Sequence, residues 1–146
     1  MLYYLGTIGM ISAAVLCLAM NIYHEARGEP LAGQIAVAHS VLNRMADLRY
    51  PSTVCGVVKQ AKYHGWDLET PIRNQCQYSW FCDGKSDNPQ DGKAMLESAI
   101  LAQYILTGNS LDITENATHY HADYVHPYWA DHMTITVKIG SHIYYR

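Results

Sequence analysis

The residues best suited to chemistry lie together in the segment Asn21–Pro30, which reads NIYHEARGEP. Glu25 is the strongest candidate, because it follows a long apolar run and precedes Gly28 and Pro30, two residues that end helices. A carboxyl group in the last turn of a helix faces the negative end of the helix dipole. That position, with apolar neighbours, raises the pKa of the carboxyl group and keeps its proton available at neutral pH. We therefore predict that Glu25 can act as a general acid, as glycosidic bond cleavage requires.

Other interpretations of these charges remain open from the sequence alone. Glu25 could instead be a surface residue paired with Arg27. Glu29, four residues after Glu25, would share its helix face only if the helix continued, and Gly28 and Pro30 argue against that. We expect Glu29 to be structural, near the start of the next helix, where a carboxylate favours the dipole.

A second polar and aromatic cluster, THYHADYVHPYW, covers residues 118–129. His119 and His121 would point to the same face of a strand, and with His126 or Asp123 they could hold a metal. A zinc-dependent hydrolase is therefore an alternative function. The same histidines could equally bind a sugar or lie hydrogen-bonded beneath the terminal strands. We expect no metal and no cofactor.

Apolar residues at helical spacing predict the elements that position these candidates. The pattern predicts a helix from Ile11 to Ala26 and a second helix from about Leu31 to Met45. A short third helix is predicted over Thr53–Gln60, and an amphipathic helix over Ala94–Leu106. Glu25 then lies one residue from the end of the first helix.

The rest of the chain is less regular. Residues 61–92 are predicted to form a long functional loop. Thr118–Val125 has the composition of a strand, and the apolar segments on either side of Gly140–Ser141 predict a hairpin. The sequence thus predicts one α+β domain over residues 1–146, mostly helical, with a small β-hairpin at the C-terminus.

Composition excludes some function classes. The chain has 146 residues, 49% of them hydrophobic, and a net charge of -3, so a nucleic-acid partner is not expected. The first 20 residues carry no charge. Their apolar pattern continues without a break into the segment of Glu25, so we expect a core helix, with a membrane anchor as the alternative.

The four cysteines leave the pairing open. Cys17 lies in an apolar run and is expected to be a small buried hydrophobe. Cys55, Cys76 and Cys82 lie in the loop-rich middle, where one pair could bridge in an oxidising compartment. The spacing does not favour a four-ligand zinc site.

Three ordered blocks of the sequence resemble the SleB-type cell-wall hydrolases, the spore-cortex-lytic enzymes, a family that also occurs in bacteriophages. The resemblance covers residues 11–145 and leaves residues 1–10 as an apolar extension. The blocks that carry it are IYHEARGEP at 22–30 with GQIAVA at 33–38 and VLNR at 41–44; YP at 50–51 to Cys55, with CQYSW at 76–80; and ATHYH at 117–121, PYWA at 127–130 and IGSHIYY at 139–145.

The resemblance implies a lysozyme-like fold and cleavage of peptidoglycan glycan strands, usually by lytic transglycosylation. The catalytic glutamate of the family falls on Glu25. In this chemistry one carboxyl group protonates the bond between N-acetylmuramic acid and N-acetylglucosamine, then takes a proton from the 6-hydroxyl of the sugar. We expect the loop and the histidine-tyrosine segment to form opposite walls of one groove, with Ser79, Tyr120, His121 and Tyr124 as sugar contacts.

The resemblance also carries expectations about context. Tyr78 stands where phenylalanine is more usual, and no peptidoglycan-binding domain precedes the catalytic part, which favours a compact lysin, such as a phage-encoded one, over a spore enzyme. We expect a monomer that acts at the bacterial cell wall, in the periplasm or outside the cell. A phage-encoded protein would be made in the host cytoplasm. A non-catalytic wall-binding module is a further alternative.

Overall fold

The computed structural model describes residues 11–146. The predicted apolar extension, residues 1–10, lies outside the described residues, as does half of the stretch for which a membrane anchor is the alternative. Within the described part, no helix combines the length and the apolar character needed to cross a bilayer. The elements, in chain order, are α1 (Ala13–Ala26), α2 (Leu31–Ala46), α3 (Val54–Val58), β1 (Ala61–His64), β2 (Asp67–Cys76), α4 (Gly92–Leu106), β3 (His119–Ala122), β4 (Ile135–Ile139) and β5 (His142–Tyr145), with short 3₁₀ turns at Ser79–Phe81 and Tyr128–His132.

Helix α1 begins and ends where local signals place its termini. The Ser12 hydroxyl caps the helix by accepting the backbone N–H of Val15 at 3.2 Å. The helix ends at Ala26, and Pro30 precedes the first residue of α2, where a missing N–H costs nothing. The predicted bounds of α1 and α2 are confirmed to within two residues.

The helices bury a common apolar core. Leu18 and Ile22 of α1 are fully buried against Val41 of α2 and Val57 of α3. Each such burial is worth roughly 1.5–3 kcal/mol. This packing fixes α1 in the domain, and with it the side chains at its C-terminal end.

A disulfide between Cys17 and Cys55 joins α1 to α3, with the two Cα atoms 5.3 Å apart. The expectation that Cys17 is an unbonded hydrophobe is therefore wrong, although the residue is buried. The sequence could not show this pairing because the two helices meet only in the folded chain. The bond ties α3 to the helix that carries Glu25.

The middle of the chain, predicted as a long loop, contains the antiparallel hairpin β1–β2. The prediction is wrong for residues 61–76. The strand signal was hidden because β2 is mostly exposed and shows no alternation of apolar residues, and because Gly65 and Pro71 interrupt the segment. A second disulfide, Cys76–Cys82, closes the loop that follows the hairpin.

The C-terminal strands form a three-stranded antiparallel sheet in the order β3-β5-β4. Gly140, with φ 58°, supplies the left-handed residue that the β4–β5 turn needs. The predicted hairpin and the α+β class with mostly helical content are confirmed, while the strand predicted over 118–125 is shortened to β3. The register places Tyr120 of β3 opposite Tyr144 of β5.

Candidate active site

Glu25 projects from the last turn of α1 into a cavity of about 190 Å³. Its side chain is partly buried, and its Oε2 accepts a hydrogen bond of 2.9 Å from the hydroxyl of Tyr120. Arg27 turns away and donates to the hydroxyl of Tyr23, so the surface ion pair considered for Glu25 does not form. The cavity is lined by Glu25, Arg44, Gln77, Tyr78, Ser79 and Tyr120.

Burial raises the pKa of the Glu25 carboxyl group above its ordinary value. The hydrogen bond from Tyr120 and the positive charge of Arg44 act in the opposite direction and moderate the rise. A carboxyl group in this environment keeps its proton to a higher pH than a solvent-exposed glutamate. This direction of the shift suits a group that donates a proton to a bound molecule.

Tyr120 is held in place by the C-terminal sheet. Its ring packs against His142 and Tyr144 of β5, with ring centroids 4.8 and 5.4 Å away. Burial, reinforced by the negative charge of Glu25, raises the pKa of the Tyr120 hydroxyl well above its ordinary value. The hydroxyl thus stays protonated and remains a hydrogen-bond donor to Glu25.

Gln77, Tyr78 and Ser79, in the loop that the Cys76–Cys82 disulfide closes, form another part of the cavity lining, called here the loop wall. Two side chains of α1 anchor this loop at Trp80. The indole N–H of Trp80 donates to Oδ1 of Asn21 at 2.9 Å, and the His24 ring stacks on the indole at 4.5 Å. One helix therefore carries the acid and both anchors of the loop wall.

Arg44 completes the cavity from α2 and is a site residue that sequence reasoning missed. Its side chain is 3% exposed, and its Nε donates to the carbonyl oxygen of Thr118 at 2.6 Å. Its guanidinium lies over the Tyr78 ring, 5.7 Å from the centroid. The available signal was an arginine close to the apolar stripe of α2, one residue from Met45.

Glu29 lies outside the cavity. Its Oε1 accepts from the backbone N–H of Ser141 at 3.3 Å and from the Ser141 hydroxyl, and it lies 3.6 Å from Nε2 of His142. The carboxylate therefore holds the β4–β5 turn against the start of α2. This contact, more than the helix dipole that the sequence suggested, gives Glu29 its structural role.

Of the four predicted sugar contacts, the structure brings Ser79 and Tyr120 to the cavity with Glu25 and leaves the other two elsewhere. His121 is buried on the other face of β3, where its Nε2 is 2.7 Å from the Tyr145 hydroxyl. Tyr124 follows the end of β3 and is 85% exposed. Alternation along a strand explains the first departure, since neighbouring side chains point to opposite faces.

The histidines considered as metal ligands have other partners. His119 Nδ1 lies 2.9 Å from the Thr118 hydroxyl, and His126 Nε2 lies 2.9 Å from Asp131. Within residues 11–146, no group of three or more His, Cys, Asp or Glu side chains is arranged to hold a metal ion. The cluster that suggested a zinc site in the sequence is therefore not assembled as one.

The other acidic residues that could have supplied a second carboxylate also lie elsewhere. Asp123 pairs with Lys138 at 3.2 Å, and Asp131 pairs with His126. Glu115 is exposed in the loop before β3. Among the described residues that line the cavity, Glu25 is the only acid.

The chain is similar to known proteins over most of its length. The family described as Cell Wall Hydrolase matches residues 28–145. A spore cortex-lytic enzyme of Bacillus cereus is 30% identical over 131 residues, which are 87% of this chain and 42% of that protein. The chain thus spans less than half the length of this relative. A spore cortex-lytic enzyme of Bacillus subtilis is 42% identical over 50 residues, 34% of this chain and 16% of that protein.

Two solved structures resemble the fold over most of the chain. The catalytic domain of the germination-specific lytic transglycosylase SleB from Bacillus anthracis has a TM-score of 0.64 and 27% identity, with 91% of this chain and 93% of that chain covered. The catalytic domain of the Bacillus cereus SleB protein has a TM-score of 0.62 and 28% identity, with 92% and 91% covered.

Proposed function

This chain belongs to the Cell Wall Hydrolase family, and from that premise we propose that it cuts the glycan strands of bacterial peptidoglycan by lytic transglycosylation, with Glu25 as acid and then as base. The observation that carries the proposal is the environment of the Glu25 carboxyl group. Burial raises the pKa of this partly buried carboxyl group, which opens into a cavity in which it is the only acid among the described lining residues.

The reaction needs only this one carboxyl group. In the first step Glu25 gives its proton to the oxygen that links N-acetylmuramic acid to N-acetylglucosamine, and the bond from that oxygen to C1 breaks. In the second step the Glu25 carboxylate takes the proton of the 6-hydroxyl of N-acetylmuramic acid while O6 bonds to C1. A 1,6-anhydro ring closes, no water is consumed, and Glu25 is protonated again.

Hydrolysis by the usual glycosidase routes would require more. Those routes place a second carboxylate roughly 5–9.5 Å from the acid, to activate water or to form a covalent intermediate. Glu29 is engaged by the β4–β5 turn, and Asp123 and Asp131 pair with other residues. This distribution of the acids supports transglycosylation over hydrolysis.

Two lining residues are proposed as sugar contacts. Ser79 offers a hydroxyl on the loop wall, and Tyr120 presents its hydroxyl beside Glu25. The proposed partner is the glycan strand alone, bound by a monomer without a metal or cofactor. The two disulfides support a site of action in an oxidising compartment, at the wall in the periplasm or outside the cell.

Mass spectrometry of the muropeptides released from purified sacculi tests the proposal. We expect products that end in 1,6-anhydro-N-acetylmuramic acid, released equally well in the presence of a strong chelator. Reducing-end muramic acid as the main product would identify a hydrolase instead. Loss of activity with the chelator would restore the zinc alternative, and binding of sacculi without any release would identify a wall-binding module.

A further inference from the structure

Arg44 carries a buried positive charge that lacks an ion-pair partner. The residue is 3% exposed, and none of the ion pairs formed within residues 11–146 includes it. Nε donates to the Thr118 carbonyl oxygen, while Nη1 is buried with no hydrogen-bond partner in the described part of the chain. Burying a charge in this way costs several kcal/mol unless another group compensates it. The hydrogen bond to Thr118 and the ring faces of Tyr50 and Tyr78, whose centroids lie 5.2 and 5.7 Å from the guanidinium carbon, hold the side chain. No anionic group within the described fold pairs with it and gives a reason for a full positive charge here.

The cavity does give a reason. Arg44 and Glu25 both line the cavity. Among the described basic side chains, Arg44 is the one whose positive charge lowers the pKa of Glu25. While Glu25 is protonated the guanidinium has nothing to neutralise. Once Glu25 has given up its proton, the positive charge of Arg44 and the negative charge of the carboxylate attract each other within the cavity.

Resting on the proposed function, we infer that Arg44 is a positioning residue that stabilises the ionised Glu25 carboxylate between the two steps of the reaction. The burial that makes Glu25 a good acid also makes its carboxylate costly. Without a nearby cation the carboxylate would form slowly and would retake its proton before O6 could bond to C1. Arg44 thus lets one glutamate serve as acid and as base.

The other titratable groups that face Glu25 cannot take this role. Tyr120 from β3, Tyr78 from the loop and Tyr144 from β5 all have a pKa raised by burial, and all are neutral at physiological pH. Tyr120 contributes one hydrogen bond and no charge. Arg44 is the one cation among the described residues that line the cavity.

The test is the pKa of Glu25 measured directly. Glutamate-selective ¹³C labelling gives the carboxyl titration by NMR, and the Glu25 signal is assigned by its loss in Glu25→Gln. We expect Arg44→Gln to raise this pKa by roughly one pH unit, as loss of a close opposite charge does. Arg44→Lys, which keeps the charge, should restore most of the wild-type value.

The matched control is Arg49→Gln. Arg49 is exposed and paired with Asp47 at 2.7 Å, outside the cavity, so this variant makes the same chemical change without removing the cation near Glu25. It should leave the Glu25 pKa unchanged. Arg44→Met, with an apolar side chain suited to a buried position, serves as a second neutral variant if the glutamine variant folds poorly.

Kinetics on sacculi extend the same test. In Arg44→Gln the alkaline limb of kcat/KM should move to higher pH by the same amount as the pKa, and kcat should fall by about tenfold or more, the equivalent of one pKa unit. An unmoved Glu25 pKa in the neutral variants, an equal shift in the lysine variant, or failure of both neutral variants to fold would overturn the inference. The NMR titration does not depend on cleavage, so it can succeed or fail separately from the proposed function.

Discussion

Replacing Glu25 with glutamine isolates the proton on which the proposed reaction depends. The side chain keeps its size, and its amide oxygen can still accept the hydrogen bond from Tyr120. What the variant loses is the group that donates and retakes a proton. A positioned general acid contributes at least ~100-fold to the rate, and we expect glycan release to fall by that factor or more.

The same substitution should stabilise the protein, because of the direction of the Glu25 pKa shift. The pKa of Glu25 in the folded protein lies above its ordinary value of 4.5. The free energy of unfolding of the wild type therefore falls as the pH rises from about 4.5 through the folded-state pKa. Each unit of pKa difference amounts to about 1.4 kcal/mol. Glutamine does not titrate, so the stability advantage of Glu25→Gln should grow over this window and stay constant above it.

Urea unfolding at a series of pH values measures this difference, and muropeptide release from sacculi measures activity. Glu29→Gln is the matched control, since Glu29 binds Ser141 of the β4–β5 turn and lies outside the cavity. Weakening that contact should cost about 1–2 kcal/mol while most of the activity remains. If Glu29→Gln loses activity and Glu25→Gln keeps it, the assignment of Glu25 as the acid is wrong. If the stability difference for Glu25→Gln does not grow with pH, burial is not what sets the Glu25 pKa.

Three further variants test the walls of the cavity. Tyr120→Phe removes a hydrogen bond that lowers the Glu25 pKa, so the alkaline limb of kcat/KM should move upward; an unmoved limb would contradict the contact. Replacing Cys76 and Cys82 by serine removes the disulfide that closes the loop wall, which should lower the free energy of unfolding by about 2 kcal/mol and raise KM. An unchanged KM would show that the loop keeps its position without the disulfide. Tyr124→Ala changes an exposed side chain away from the cavity, so kcat/KM measured on sacculi should stay within about twofold of the wild-type value. A large loss of kcat/KM would show that Tyr124 does contact the sugar.

Much of the local structure could be predicted from neighbouring residues. Gly28 and Pro30 mark the end of α1 and the start of α2, because helix termination depends on residues a few positions apart. Gly140 marks the terminal hairpin for the same reason. The hairpin β1–β2 escaped prediction because β2 is mostly exposed and therefore has no apolar alternation to detect.

The sequence by itself determined that an acidic residue, Glu25, would stand at the end of a buried helix. Only the tertiary structure decided what surrounds that residue. Tyr120, 95 residues away along the chain, donates to Glu25, and Arg44 reaches the same cavity from another helix. The pairing of Cys17 with Cys55 depends in the same way on helices that meet only on folding. Local signals fix where an element begins and ends, whereas the environment that sets a pKa consists of groups brought together by packing.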